Sequence, residues 1–229
     1  MTQKKRRRLR ILLLLVVVSV LTACILLPDF IGQINAGKYE PVDTDVPRPT
    51  GVAALPVAEV QTEPHTCGLH AMRSMYSAYG LNADQYDLRF RLGTDQPAMR
   101  VDSETTGTLH PDLYRVLAQD GFTIDLLDLD ADIASTALQN HLAWQQLSLA
   151  LVYRSTYHWV LIGPSESPDK CVIYDSLHAE PIVKSIDTFL QEALSITLVQ
   201  PAIQEGAISI TDAHTEGLAE TARLYKRKK

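Results

Sequence analysis

The chain has 229 residues, and its composition of 46% hydrophobic, 7% aromatic and 21% charged residues is typical of a globular protein and excludes collagen-like or low-complexity chains. Eleven of the 21 basic residues lie in two terminal clusters, six within residues 1–10 and five within residues 223–229, which leaves ten basic residues against 27 acidic ones, a balance of −17. An acidic body repels phosphate backbones, so we expect no nucleic-acid partner.

The amino terminus predicts a membrane tether. After the basic cluster comes an uncharged, mostly aliphatic stretch, Ile11–Leu27, near the lower length limit for crossing a hydrocarbon core of ~30 Å. Its segment Leu21–Cys24 (Leu-Thr-Ala-Cys) matches the bacterial lipobox, so one interpretation is an export signal cleaved before Cys24, which is then lipidated. The other is an uncleaved single-pass helix over residues 11–31. Both interpretations place the rest of the chain outside the cytoplasm.

Composition divides the chain into four parts. Residues 1–30 form the signal or anchor, and residues 31–56, interrupted by Gly and Pro, form a linker. Residues 57–201 carry the periodic hydrophobic patterns of a compact domain. Residues 202–229 are mostly polar and are expected to form a frayed tail.

Within the domain, apolar residues at helical spacing predict helices over residues 67–79, 83–91, 111–121, 131–146 and 186–194. Short apolar runs rich in branched residues predict strands over residues 148–154, 158–163, 170–176 and 196–199. Helices first and antiparallel strands afterwards predict an α+β domain, in which a helical first half packs on the sheet.

Two of the predicted strands bring a histidine and a carboxylate together. If the hairpin is symmetric about its loop, His158 lies directly opposite Asp175, with Cβ atoms ~5 Å apart. An Asp beside a His ring accepts the Nδ1 hydrogen and stabilises the imidazolium. The pair is therefore a candidate for acid–base chemistry.

Cys67 lies at the predicted start of a helix, where the helix dipole and a nearby imidazolium favour a thiolate. A thiolate nucleophile together with a histidine that protonates the leaving amine is the machinery of a cysteine peptidase. Gln61, six residues upstream, is placed to donate its amide to the oxyanion that forms during attack.

These residues resemble a known family. The stretch Gln61–Gly68 (Gln-Thr-Glu-Pro-His-Thr-Cys-Gly) resembles the Gln-x5-Cys-Gly motif of the bacteriocin-processing, double-glycine leader peptidases, family thirty-nine of the cysteine peptidases, which have a papain-like fold. The order Gln, Cys, His, Asp agrees with that family, as do the gap of 17 residues from His158 to Asp175 and the segment Gly107–Leu109. The resemblance covers roughly residues 57–200.

The resemblance implies a peptide or protein substrate and a role for each of four residues: Cys67 as nucleophile, His158 as general acid and base, Asp175 as orienting residue, and Gln61 as oxyanion donor. The sequence departs from the family pattern at Thr66, where Asp is common, and at Ser176, where Pro is frequent. It contains no Walker-type loop, so we expect no ATP, and we expect no cofactor and no metal.

Other interpretations of the same residues remain open. Cys67 could pair with Cys171 in a disulfide, since cysteines outside the cytoplasm often do. His65, Cys67 and His70 could ligate a metal, although a fourth ligand is missing. The domain could also be a catalytically inactive papain-like module that binds a peptide, or an acyl transferase that uses the same thiolate.

Overall fold

The computed structural model describes residues 51–52, 54–95, 107–202 and 209–227, with side chains up to Leu224 in the last range. The predicted signal or anchor, including Cys24, and the predicted linker up to residue 50 lie outside the described residues. Among the helices that are described, none is both long enough and apolar enough to cross a membrane.

The described residues form six helices and six strands. The helices are α1 (Cys67–Ala78), α2 (Gln85–Arg91), α3 (His110–Gln119), α4 (Ala134–Ala143), α5 (Ile186–Glu192) and α6 (Ile210–Arg227). The strands are β1 (Phe122–Leu126), β2 (Leu147–Arg154), β3 (Thr156–Pro164), β4 (Lys170–Tyr174), β5 (Ile182–Ser185) and β6 (Ala193–Pro201). Every predicted element is present with its ends shifted by a few residues, and β1, β5 and α6 are additional.

All six strands join one antiparallel sheet in the order β1-β6-β2-β3-β4-β5. The α+β class predicted from the sequence is therefore confirmed. The two strands that the sequence patterns missed, β1 and β5, lie at the two edges of this sheet.

The helices cover both faces of the sheet rather than one. Alternate side chains of β2 and β3 belong to the hydrophobic cluster that includes α1 and α3: Leu149, Leu151, Trp159 and Leu161. The intervening side chains belong to the cluster that includes α4 and α5: Ala150, Val152, Val160 and Ile162. Burial on both faces explains why these strands are continuous apolar runs in the sequence rather than alternating ones.

Helix α1 carries the candidate nucleophile on a deeply buried element. Its apolar residues recur every three or four positions and pack towards the sheet, with Leu69, Met72 and Met75 fully buried. The helix ends before Gly80, whose φ of +72° is a left-handed conformation that glycine adopts without strain. The first turn of α1 is thereby fixed against the core.

Helix α6 corrects the expectation of a frayed tail. It packs against α3, with Ala213, Gly217 and Leu224 buried at helical spacing. A Cβ at Gly217 would lie 2.5 Å from the Cα of Pro111, so only glycine permits this close approach of the two backbones. The segment is mostly polar, and its few buried residues form only a narrow apolar stripe along the helix. Over a short stretch of sequence, such a stripe looks the same as a fully solvated helix.

Candidate active site

His158 and Asp175 are brought together by the ends of β3 and β4. The structure pairs Ile162 with Ile173, whereas a direct pairing of His158 with Asp175 requires Ile162 to face Cys171, so the predicted register is wrong by two residues. A shift of two keeps the same side chains on the same face. The pair still makes contact diagonally, with 2.7 Å between His158 Nε2 and Asp175 Oδ1.

The turn between the two strands explains the register. Its closing hydrogen bond runs from the N–H of Lys170 to the carbonyl oxygen of Ser167 at 3.0 Å. The chain therefore reverses later than the middle of the predicted loop, and each residue of β3 meets a partner two positions further along.

The ring of His158 is oriented differently from the sequence prediction. Nε2, not Nδ1, contacts Asp175, and the Cys67 thiol interacts with the same ring and raises its pKa. The carboxylate is itself held in place, because its Oδ1 accepts the backbone N–H of Leu177 at 2.9 Å. Its Oδ2 is buried and has no hydrogen-bond partner within the described part of the chain.

The electrostatics of this pair favour a charged imidazole. Burial by itself lowers the pKa of His158, but the hydrogen bond that the ring donates to Asp175 and the interactions with Cys67 outweigh burial and raise the pKa to about 9. For Asp175, burial acts to raise the pKa, and the hydrogen bonds from His158 and from the Leu177 N–H lower it below its ordinary value. Imidazolium and carboxylate are therefore the forms present near neutral pH.

Cys67 is the first residue of α1, is 5% exposed, and carries a free thiol. Cys171 is also free, so the alternative of a disulfide between them is wrong. Cys171 lies in β4 within the cluster on the opposite face of the sheet, and burial raises the pKa of its thiol to about 11. The two thiols thus occupy different environments, and only Cys67 has an imidazole beside it.

The segment Gly107–Leu109 packs directly against the first turn of α1. A Cβ at Gly68 would lie 2.5 Å from the Thr108 Cβ, so the glycine after Cys67 is required by this contact. The indole Nε1 of Trp159 donates to the carbonyl oxygen of Thr108 at 2.9 Å. The loop before α3 is therefore attached both to α1 and to β3, and it forms one wall beside Cys67.

Gln61 is half-buried and is bound to the chain that follows Asp175. Its backbone N–H donates to the Ser176 carbonyl oxygen at 2.9 Å, and its Oε1 accepts the Ser176 hydroxyl at 2.6 Å. Its Nε2 donates to the Glu63 carbonyl oxygen at 3.0 Å. The structure thus brings the predicted oxyanion donor next to the carboxylate end of the site.

The loop before Cys67 is held by a cluster of charged side chains. Arg89 of α2 donates to Glu63 at 2.7 Å and to Asp95 at 2.6 Å, and His65 lies 3.0 Å from Asp95. The hydrogen bonds from Arg89 lower the pKa of Glu63 and lower that of Asp95 to about 2. Ligand atoms of Glu63, His65 and Asp95 lie within 4.8 Å of one another, but the cation between the two carboxylates is the guanidinium.

The predicted alternative of a metal held by His65, Cys67 and His70 does not fit this geometry. His65 is bound to Asp95, while His70 Nδ1 lies 3.2 Å from an oxygen of Glu59, on a different carboxylate. The two imidazoles are therefore engaged separately, and Cys67 faces His158 instead.

The sequence indicated neither Ser176 nor Glu63 as a contributor to the site. Ser176 stood out only as a departure from the family pattern, and its contact with Gln61 spans 115 positions of the chain. Such a long-range contact leaves no local periodicity or spacing, so no signal in a single sequence could have revealed the role of Ser176.

No protein-family model matches this chain, and no curated protein matches it. Solved structures do. A double glycine motif protease from an AMS/PCAT transporter, crystallised with the leader peptide, is 14% identical with a TM-score of 0.47, over 69% of this chain and 99% of that one. The peptidase domain of Streptococcus ComA, a bi-functional ABC transporter involved in a quorum sensing pathway, is 17% identical with a TM-score of 0.49, over 64% and 97%. The same domain of Streptococcus mutans ComA, with a small-molecule inhibitor, is 14% identical with a TM-score of 0.39, over 63% and 98%. The chain is thus similar to double-glycine peptidase domains, the group whose motif the sequence resembles.

Proposed function

We propose that this protein is a cysteine peptidase that hydrolyses peptide bonds with Cys67, His158 and Asp175 as its catalytic triad. One observation carries the proposal: an imidazole whose Nε2 lies 2.7 Å from a buried carboxylate also interacts with the thiol at the start of α1, which raises the pKa of the ring. Nucleophile, proton carrier and orienting group are then linked in the order that peptide-bond cleavage by a thiol requires.

In the first half of the reaction, the Cys67 thiolate attacks the carbonyl carbon of the scissile bond, and a negative oxygen forms there. The Gln61 amide and the backbone N–H of Cys67 are the donors proposed for this oxyanion. The His158 imidazolium gives its Nδ1 proton to the leaving nitrogen as the C–N bond breaks. An amine departs, and the acyl group stays on sulfur as a thioester.

In the second half, neutral His158 accepts a proton from water as the oxygen of that water attacks the thioester carbon. The C–S bond breaks, the carboxylic product leaves, and the thiolate and imidazolium are restored. Asp175 remains ionised throughout, because its part is to hold the ring and to stabilise the imidazolium.

The test compares two cysteine variants of the full chain on a library of quenched fluorescent peptides, with the products identified by mass spectrometry. Cys67→Ala is expected to lower cleavage by at least about 10³-fold, because it removes the nucleophile. Cys171→Ala is the matched control, since it removes a buried thiol on the other face of the sheet, and it should cleave as the wild type does.

Alkylation gives a second measurement that needs no substrate. Iodoacetamide near neutral pH should modify Cys67 rapidly and leave Cys171, whose thiol pKa is about 11, unmodified. Undiminished cleavage by Cys67→Ala would refute the proposal. Rapid alkylation of Cys67 without any peptide cleavage would refute hydrolysis and favour a binding module or an acyl transferase.

We further propose that the amino-terminal segment tethers the domain outside the cytoplasm. The supporting observation is the basic cluster followed by Ile11–Leu27, with the lipobox-like Leu21–Cys24. Metabolic labelling with a palmitate analogue separates the two forms of tether. Label that is lost in Cys24→Ser indicates a lipoprotein, membrane retention without label indicates an uncleaved helix, and recovery of the unlabelled chain from the soluble fraction would contradict both.

A further inference from the structure

The side-chain amide of Gln61 is held from both ends. Its Oε1 accepts the Ser176 hydroxyl at 2.6 Å, and its Nε2 donates to the Glu63 carbonyl oxygen at 3.0 Å. The same carbonyl oxygen accepts the Thr66 N–H at 3.2 Å and the Thr66 hydroxyl at 2.8 Å. Ser176 and Thr66 are the two positions at which the sequence departs from the family motif, and both take part in this arrangement.

These contacts determine which way the amide faces. A carbonyl oxygen can only accept, so the atom beside the Glu63 oxygen has to be the NH₂ group, and the Ser176 hydroxyl then donates to the remaining oxygen. The NH₂ group carries two hydrogens, of which Glu63 accepts one. The second has no acceptor within the described part of the chain, so it is available to a ligand.

Ser176 is well placed to hold the Gln61 amide in one orientation. It is buried, it directly follows Asp175, and its carbonyl oxygen accepts the Gln61 backbone N–H at 2.9 Å. Two hydrogen bonds between the same two residues fix both the backbone and the side chain of Gln61. A hydrogen-bond donor to an oxyanion is more effective when its position is fixed, because a misplaced donor stabilises the transition state poorly.

We infer that Ser176 is a positioning residue: its hydroxyl orients the Gln61 amide so that one N–H of that amide is presented to the oxyanion. The inference rests on the proposed peptidase function, and it goes beyond the triad because it assigns a task to a residue that neither attacks nor carries a proton. It also predicts that Ser176 acts through Gln61 and not through its neighbour Asp175.

The test exploits a difference between two reactions of the same thiol. Peptide cleavage forms an oxyanion, whereas alkylation by iodoacetamide displaces iodide and forms none. Removing the hydroxyl in Ser176→Ala should therefore lower kcat for a cleaved library peptide about tenfold, with KM nearly unchanged, and should leave the rate of alkylation and its pH dependence as in the wild type. Gln61→Ala should show the same pattern with a larger loss, roughly 10²-fold.

Two further variants guard against a folding artefact and test the route of action. The side chains introduced by Ser176→Thr and Ser176→Val have nearly the same shape, but only Ser176→Thr keeps the hydroxyl. Ser176→Thr should therefore retain more activity than Ser176→Val. Adding Ser176→Ala to Gln61→Ala should cause no further loss, because the hydroxyl then has no amide to orient.

Several results would overturn the inference. If Ser176→Ala slows alkylation as much as cleavage, the hydroxyl acts on the Cys67–His158 pair instead. If the losses of Ser176→Ala and Gln61→Ala multiply in the double variant, the two residues act separately. If Ser176→Thr and Ser176→Val are equally active, the hydroxyl has no part in the reaction. Failure of the peptidase proposal is recognised separately, since the wild type itself would then cleave nothing in the library.

Discussion

Two histidines lie on either side of one tryptophan, and they have opposite electrostatic properties. His158 directly precedes Trp159 in β3, while the ring of His110, at the start of α3, lies 4.7 Å from the Trp159 ring. Both are 3% exposed. Yet the pKa of His158 is raised to about 9, whereas burial lowers the pKa of His110 to about 3.

The difference lies in what each ring touches. His110 Nε2 lies 2.9 Å from the hydroxyl of Ser195, a neutral partner that does not offset the cost of burying a charge. His158 lies against the Asp175 carboxylate and the Cys67 thiol. Depth in the protein therefore does not distinguish a charged histidine from a neutral one, and a buried carboxylate within hydrogen-bond distance does.

The largest expected effect comes from removing the negative charge of the carboxylate beside His158, so that a neutral hydrogen-bond partner takes its place, as at His110. In Asp175→Asn, the amide oxygen can still accept from His158 and from the Leu177 N–H, but the negative charge is gone. An NH₂ group replaces Oδ2, which has no hydrogen-bond partner among the described residues. The pKa of His158 should fall, and kcat/KM for peptide cleavage should fall about 10²-fold.

A pH profile checks the cause of that loss. The proposed mechanism needs the imidazolium, so the kcat/KM of the wild type should decline as pH rises through about 9, the pKa of His158. In Asp175→Asn this decline should begin at lower pH. An unchanged alkaline limb in the variant would mean that the carboxylate does not set the charge of the ring.

The two histidines should also affect folding stability at opposite ends of the pH range: His158 lowers it as pH rises, and His110 lowers it as pH falls. The pKa of His158 is about 6.5 in the unfolded chain and about 9 in the folded protein, so between these two pH values only the folded protein holds this proton. The stability that His158 contributes is therefore complete below pH 6.5 and is lost as pH rises through about 9. The pKa of His110 is about 6.5 in the unfolded chain and about 3 in the folded protein, so between these two pH values only the unfolded chain holds this proton. The free energy of unfolding therefore falls as pH falls through this range.

Urea unfolding over this pH range measures both effects. The urea midpoint should decline on both sides of pH 6.5 in the wild type. Between about pH 5 and 6.5, His110→Gln should flatten the acid side and Asp175→Asn should not, because the lowered pKa of Asp175 reduces stability only as pH falls through the ordinary range of an aspartate, about 3.9. Above pH 6.5, Asp175→Asn should flatten the alkaline side and His110→Gln should not. A midpoint that is equally pH-dependent in both variants and in the wild type would contradict the assignment.

The smallest expected effect concerns the partner of His110. Ser195→Ala leaves a buried ring nitrogen without its hydrogen bond and should cost roughly 1–3 kcal/mol of unfolding free energy, with alkylation of Cys67 unchanged. Ser148→Ala in the neighbouring strand is the matched control, because the buried Ser148 hydroxyl has no partner in the described part of the chain and its removal should cost little. Equal losses in the two variants would show that the contact with His110 contributes nothing.

The sequence predicted the nucleophile half of the site better than the histidine half. Cys67 and Gly68 begin a helix and form part of a short motif, and both features are local. The pairing of His158 with Asp175 depended on where a six-residue turn reverses, and the prediction missed by two residues because the Ser167–Lys170 hydrogen bond shifts that point. The same face was still predicted, since strand side chains alternate with a period of two.

Features made by distant contacts were beyond reach. β1 and β5 are edge strands with mixed burial, so their patterns are weak. The hydroxyl of Ser195 lies beside His110 only because α3 packs on β6, 85 positions away. No periodic pattern in a single sequence shows which distant residues will be in contact. The charge state of a histidine depends on such contacts, so it could not be predicted.

The close approach of Gly217 to Pro111 has a practical consequence for anyone who shortens this protein. A chain cut at Pro201, where the sequence patterns suggest that the domain stops, would lose α6 and bare the apolar outer side of α3 to water. Such a fragment would tend to self-associate even though its thiol, imidazole and carboxylate were all retained. Trimming therefore belongs after Arg227, not before Ile210.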